Sequence, residues 1–329
     1  MDKVEMTAQE ELKAKEELKA QIVAIAQGTV SNPGMEVAKL ANEPYDAEIA
    51  VPEVIKAIFN TASVDVGEDF DYFAIAPIDK KVYTVSNGIV TQTNVSVDSE
   101  NPLEFSSYDS DEDYVYLDDI LDGKYDPIAL RATVQQEALD RLEIKAVTDL
   151  VIDGAVAQNN SFAFTSGEEK FTFEKCVEMV RSVAKYGTKL VLITGADVTT
   201  DVMLWDFDED KNRELSIQKA GIAEWHKLEA NAFTHSGAQV IFPADKALVV
   251  AVSDSKSQKP GYFVRRKVSA VAMGQGVDAK ERLIISSGPA KHVGSARKLA
   301  IAVLTYERFG AVLSNEYTCA VFKRASVYA

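Results

Sequence analysis

The chain has 329 residues, 47% hydrophobic and 26% charged, with a formal net charge of −16. That is enough chain for one large domain or two ordinary ones with a real core, and the composition excludes a wholly disordered protein. No uninterrupted apolar run approaches the ~18–20 residues of a spanning helix, and the acidic balance argues against a surface that coats nucleic acid.

The opening MDKVEMTAQEELKAK lacks the apolar core of a secretory signal. Thr7 and Glu10 form a capping-box pattern, and Leu18, Ile22 and Ile25 recur at helical spacing up to a stop at Gly28. Pro33, Gly34, Pro44 and Pro52 then break the chain, which predicts an extended arm carrying a docking helix. The alternative is a helix packed on its own domain.

Charge is concentrated in the next segment. Asp65 to Asp126 holds 16 acids and three bases, Lys80, Lys81 and Lys124, a net of −13 that leaves only −3 elsewhere. Its apolar residues fall in short β-rich strings: Tyr72-Phe73-Ala74-Ile75, Val82-Tyr83-Thr84-Val85, Ile89-Val90-Thr91 and Tyr114-Val115-Tyr116-Leu117. Asn87-Gly88 is a hairpin turn signal. The pattern predicts a long antiparallel ribbon, which buries little on its own and needs another surface to lie on.

Asp126-Pro127 starts the clearest element, with Asp as N-cap and Pro at the first helical position. Leu130, Val134, Ala138, Leu142, Ala146 and Leu150 form the expected apolar stripe of a helix reaching about Gln158, ~45–48 Å long at 1.5 Å per residue. From Phe171 the chain reads as α/β. Thr172 caps a helix carrying Val177, Val180 and Ala184 and ending at Gly187, and Lys189 to Thr194 is a buried strand. Thr199 to Phe207 is a second helix, with strands at Ala238 to Pro243 and Ala247 to Val252. The tail carries β-like stretches at Leu299 to Tyr306 and Tyr317 to Phe322.

Motifs for chemistry fail on their own terms. The acidic runs starting at Asp109 and Asp206 open like calcium loops but lack the required Gly and closing Glu. Gly274-Gln275-Gly276 lacks a third glycine, and His226, His235 and His292 have no ligand spacing. Cys176 sits on an apolar helix stripe, where a buried structural thiol is expected. The two cysteines, Cys176 and Cys319, are too isolated for a disulfide framework or a zinc site and suggest a reducing compartment. No catalytic, metal or cofactor site is expected.

The order of elements is arm with helix, long ribbon, very long helix, α/β module and β tail. With the segments KLVLITGADVTTDVMLW and KLAIAVLTYERFGAVLSNEYTCAVFKR, that order resembles the Hong Kong 97-like capsid fold of tailed-bacteriophage major capsid proteins. The resemblance implies an α+β fold divided into an N-terminal arm (1–64), an extension loop (65–125), a peripheral domain with a spine helix (126–170 and 290–329) and an α/β axial domain (171–289). In it the tail completes the peripheral sheet, with Ser314-Asn315-Glu316 at a hairpin-like turn.

It also implies a structural role: copies of itself as hexamers and pentamers in an icosahedral shell, with portal, scaffolding and decoration proteins as further partners. Double-stranded DNA would be enclosed without sequence-specific binding, and no membrane is involved. Localisation would be the virion, after assembly in the host cytoplasm. Candidate interface residues are Lys80, Lys81, Arg265, Arg266, Lys267 and Asn315, with the basic run 265–267 expected to meet the acidic ribbon of a neighbour. Some members of the family crosslink a lysine of the extension loop, but no acceptor Asn or assisting Glu is matched here. The alternatives are an encapsulin-type compartment of the same fold, a minor or decoration protein, and an α/β enzyme with an added β-domain.

Overall fold

The computed structural model describes residues 50–72, 101–110, 113–116, 127–163, 170–205, 217–229, 231–234, 237–253, 259–269, 279–291 and 299–324, together with Ala20 and Ala24. Both of those alanines are helical, and the rest of the helix expected before Gly28 lies outside the described residues.

A long helix and a five-stranded sheet set the frame. Helix α2 (Pro127–Ala157) follows a short α1 (Glu53–Ile58). The sheet runs β6-β15-β11-β7-β8, built from β6 (Ser161–Ala163), β7 (Lys189–Thr194), β8 (Glu224–Lys227), β11 (Lys246–Val252) and β15 (Cys319–Lys323). Strand β11 is antiparallel to both β7 and β15, whereas β8 and β6 pair parallel at the two edges. Side chains of successive strand residues point to opposite faces, and here that alternation divides two cores. Val191, Ile193, Leu248, Val250, Cys319 and Val321 face the core shared with Val147, Val151 and Ala155 of α2. Leu190, Leu192, Ala247, Val249, Ala320 and Phe322 face the other, against α3 (Phe173–Val183) and α4 (Ala196–Met203). Burial on both faces is why these strands read as continuous apolar runs. Thr172 caps α3 as expected, its hydroxyl accepting from the Lys175 N–H at 3.3 Å.

The second sheet is organised by one strand, β14 (Leu299–Leu313). Along one edge it pairs β13 (Arg282–Lys291). Further along that same edge it pairs β12 (Gly261–Arg266), and along the other it pairs β5 (Asp113–Tyr116) and then β4 (Ser106–Asp109), so that Phe309 has Ser106 on one side and Arg265 on the other. Strand β1 (Phe59–Val64) completes the sheet, parallel to β12. Two further pairs stand apart: β2 (Asp71–Tyr72) with β3 (Asn101–Pro102), and β9 (Asn231–Thr234) with β10 (Gly237–Val240).

Several expectations need correction. The stretch just after Pro52, expected to be extended, is built into the fold: Ile55, Ile58 and Phe59 are fully buried in the core beside α2, and β1 is a sheet strand. The expected ribbon is sheet at its C-terminal end, since Tyr114, Val115 and Tyr116 pair with β14 and supply the hydrogen bonds a free ribbon would lack. Its two flanks do meet antiparallel, as β2 and β3, while Val82 to Val85 and Asn87-Gly88 lie outside the described residues. The tail is no hairpin. Strand β15 leaves β14 through a short 3₁₀ turn, Glu316–Thr318, and enters the other sheet, where both its faces find apolar partners.

Helix α2 ends one residue short of the expected Gln158, but its buried face is offset. Gln135, Leu139, Glu143, Val147, Val151 and Ala155 are buried, one position along from the expected stripe, and Val134 is 47% exposed. Gln135 and Glu143 are polar, so a search for apolar residues selects the neighbouring row. Both have partners: Gln135 Nε2 donates to the Val303 carbonyl at 2.9 Å, and Thr305 Oγ1 donates to Gln135 Oε1 at 2.9 Å. No described helix is long and apolar enough to cross a membrane.

Candidate interface residues and a buried ion cluster

The basic run at the end of β12 divides by the alternation of the strand. Arg265 turns beneath the sheet toward α2 and is 1% exposed. It grips Glu143 with two hydrogen bonds, Nε to Oε1 at 2.7 Å and Nη2 to Oε2 at 2.8 Å, and its Nη1 reaches Glu281 at 3.2 Å. It is therefore no surface counterpart for a ribbon. Arg266 faces the opposite way, 3.6 Å from Asp69 and over the ring of Phe105. Lys267 Nζ donates to Asp65 Oδ1 at 2.8 Å, and its backbone N–H donates to the Val64 carbonyl. Arg266 and Lys267 thus hold the start of the acidic segment of their own chain. Asn315 caps the turn before β15, its Oδ1 accepting from the Tyr317 N–H at 3.2 Å. Lys80 and Lys81 lie outside the described residues.

Arg265 belongs to a larger cluster. Arg282 on β13, also 1% exposed, donates through Nε to Glu307 Oε2 of β14. Its Nη1 lies 2.7 Å from Asp140 and its Nη2 3.2 Å from Glu143. Arg282 and Glu307 sit directly opposite each other in the β13–β14 register, while Asp140 and Glu143 project from one turn of α2. Two arginines from two strands therefore meet two fully buried glutamates, Glu143 and Glu307, with Asp140 and Glu281 at the margin. A buried charge is tolerated only when paired, and the bidentate guanidinium–carboxylate fork is the strongest such pairing. Burial, with Glu143 beside it, pushes the Glu307 carboxyl up to about 7 against the pull of Arg282. Arg282 is held further toward its charged form by Glu143, Glu307 and Asp140, which outweigh the burial that opposes it.

Sequence reasoning singled out Arg265 and missed Glu143, Arg282 and Glu307. The available signal was a glutamate in the apolar row of a helix and arginines within β-like strings. Each marks a buried charge that needs an opposite.

A second group of charges lines a cleft of about 440 Å³ between α1 and the β7–β8 edge, with Lys56, Lys189, Glu224, His226 and Lys259 on its walls. Lys189 bonds Glu224 at 2.5 Å and holds its carboxyl below the usual range, while His226 Nε2 stands 3.5 Å from Glu224. Lys259 Nζ donates to the carbonyls of Lys56 and Phe59 and so closes the end of α1, and burial lowers its pKa. Lys189 and Lys259 are thus engaged by their own chain. Cys176 and Cys319 are buried, and burial pushes both thiols up to about 12, far from nucleophilic. Among the described residues no group of three or more His, Cys, Asp or Glu is placed to hold a metal.

No protein-family model and no curated protein matches the sequence. Solved structures do match. A phage-related protein from Bordetella bronchiseptica RB50 is 11% identical at a TM-score of 0.51, over 88% of this chain and 97% of that one. A chain from Microbacterium phage Oxtober96 is 15% identical at 0.50, over 87% of this chain and 99% of that one. The virus-like particle from Pyrococcus furiosus is 14% identical at 0.46, over 88% and 98%. Helix α2 with its two sheets therefore has the α+β, Hong Kong 97-like fold that the order of elements resembles.

Proposed function

We propose that this chain is the major capsid protein of a tailed phage, a structural subunit that self-assembles into a closed icosahedral shell around double-stranded DNA. One observation carries the reading: the fold is shared with a phage protein and a phage-related protein over nearly the full length of all three chains. The chain's own anatomy supports it. The β2–β3 pair and the bonds of Asp65 and Asp69 to Lys267 and Arg266 anchor the first part of the segment 65–126, whose 16 acids far outnumber its three bases. Such a segment suits a neighbour's surface better than a private core. Shells of hexamers and pentamers, a place in the virion and the absence of catalysis belong to this reading, as do portal, scaffolding and decoration partners. Lys80, Lys81 and Asn315 remain candidate contacts between copies.

The domain division belongs to the proposal as well, with 1–64 as arm, 65–125 as extension loop, 126–170 and 290–329 as peripheral domain and 171–289 as axial domain. Strand pairing favours moving β12 and β13 to the peripheral unit and β6 and β15 to the axial one.

Electron microscopy of the expressed, purified chain tests the function. Closed shells are expected. A small soluble oligomer under all assembly conditions would overturn the reading, and shells that package a cellular protein instead of DNA would favour an encapsulin.

A further inference from the structure

The ion cluster contains more acid than base. From α2 come Asp140 and Glu143, from β12 Arg265, from β13 and the residue before it Arg282 and Glu281, and from β14 Glu307. Opposite Glu307 on β4 the register places Tyr108, whose ring stacks on Phe309. One layer further along, Gln135 links Asp113 and Thr305. Two arginines thus face four carboxylates.

The carboxylates are not equivalent. Glu143 spends both oxygens on Arg265. Glu307 uses only Oε2, on Arg282, and its Oε1 is fully buried with no hydrogen-bond partner among the described residues. An ionised carboxylate with a bare buried oxygen beside another carboxylate is costly, and a proton on that oxygen removes both the bare charge and the repulsion.

We infer that Glu307 is a proton-operated latch, which fastens the middle of α2 to the β12–β13–β14 sheet when it takes up a proton and loosens it when the proton leaves. The direction follows from linkage. When α2 lifts away, water reaches Glu307 and its affinity for protons drops to that of an ordinary glutamate, so the closed state holds the proton more tightly than the open one. Between those two affinities, closure weakens as pH rises. The latch is therefore tight in mild acid and slack above neutrality. It belongs to the subunit itself and does not depend on the shell reading.

Hydrogen exchange of the full-length protein, followed on peptides from residues 136–147 and corrected for the chemical exchange rate, tests this. From pH 5 to pH 8 the opening constant of the wild type is expected to rise on the order of 10–100-fold. Glu307→Gln, which fills the same space without a titrating group, is expected to remove that rise. A flat wild-type profile, or an unchanged rise in Glu307→Gln, overturns the proposal. If the variant does not fold, infrared difference spectroscopy of the wild type decides. A buried protonated carboxyl band that disappears between pH 5 and 8 supports the latch, and no such band overturns it.

Discussion

Glu143→Ala is expected to be among the most damaging single changes in α2, although it removes a hydrophilic residue from a helix and inserts the best helix former. The wild-type carboxylate makes two short bonds to Arg265 and lies 3.2 Å from Arg282. Hydrogen bonds to charged groups contribute about 1.5–3 kcal/mol each, so the Arg265 fork alone sets a ceiling of roughly 6 kcal/mol. The arginines would not be wholly orphaned. Glu281 stays 3.2 Å from Arg265, and Glu307 and Asp140 stay on Arg282. The expected loss is therefore near the lower end of the range for breaking a buried pair, about 3 kcal/mol. Urea denaturation at fixed pH, followed by circular dichroism, gives this number. The cycle Glu143→Ala, Arg265→Ala and the double variant should return a coupling of about 2 kcal/mol or more. Replacing the pair by apolar residues, Glu143→Leu with Arg265→Met, should cost far less than either truncation alone, because no charge is left stranded. A loss under about 1 kcal/mol for Glu143→Ala, with coupling near zero, would refute the claim that this cluster ties helix to sheet.

Two further changes probe other parts of the argument. Gly261→Ala should cost about 1–3 kcal/mol, since the new Cβ would meet the Val312 carbonyl oxygen at 2.3 Å and the Phe59 ring at 2.8 Å; wild-type stability in the same denaturation assay would contradict the close approach of β12 to β14. Reversing Arg266 and Lys267 to Glu together, with Arg265 left intact because it is buried, should cost at most about 1 kcal/mol at the exposed Lys267–Asp65 pair and more at Arg266, whose side chain is only 15% exposed. It should nonetheless free the start of the acidic segment, read as faster proteolysis between residues 65 and 105, and unchanged cleavage there would remove these two residues from that role.

How much was legible follows from where the information lies. The start of α2 is local, in Asp126-Pro127 and an unbroken run, and it emerges within a residue of its observed place. Strands β7 and β11 are legible because burial on both faces leaves an apolar run that nothing else explains. Strands β12 and β13 are not, because Arg265, Arg266 and Arg282 interrupt them and β13 carries a register shift between Ser286 and Pro289. The buried face of α2 was misplaced by one row for the same reason: Glu143 is inside only because Arg265, 122 positions later, is inside with it. A charged residue is read as surface until its partner is known, and partners so distant in sequence cannot be paired by spacing. The tail shows the same limit, since nothing between Ser314 and Cys319 says which of two sheets the last strand joins.

That β14 and β15 follow every other strand in sequence has a consequence for synthesis. Among the described residues, every other strand of the β14 sheet except β1 bonds to β14, and in the five-stranded sheet β15 joins β6 to β11. A ribosome that has released everything up to Arg282 has therefore made most of the strands and neither finished sheet. The growing chain carries bare edges on β11 and β12 until β14 and β15 emerge, and these long-range pairings form only after their loops close. Both sheets close once β14 and β15 have emerged, rather than piece by piece. Until then, unfinished chains at high local concentration, as on a polysome, depend on chaperones or sparse spacing to avoid pairing edge to edge.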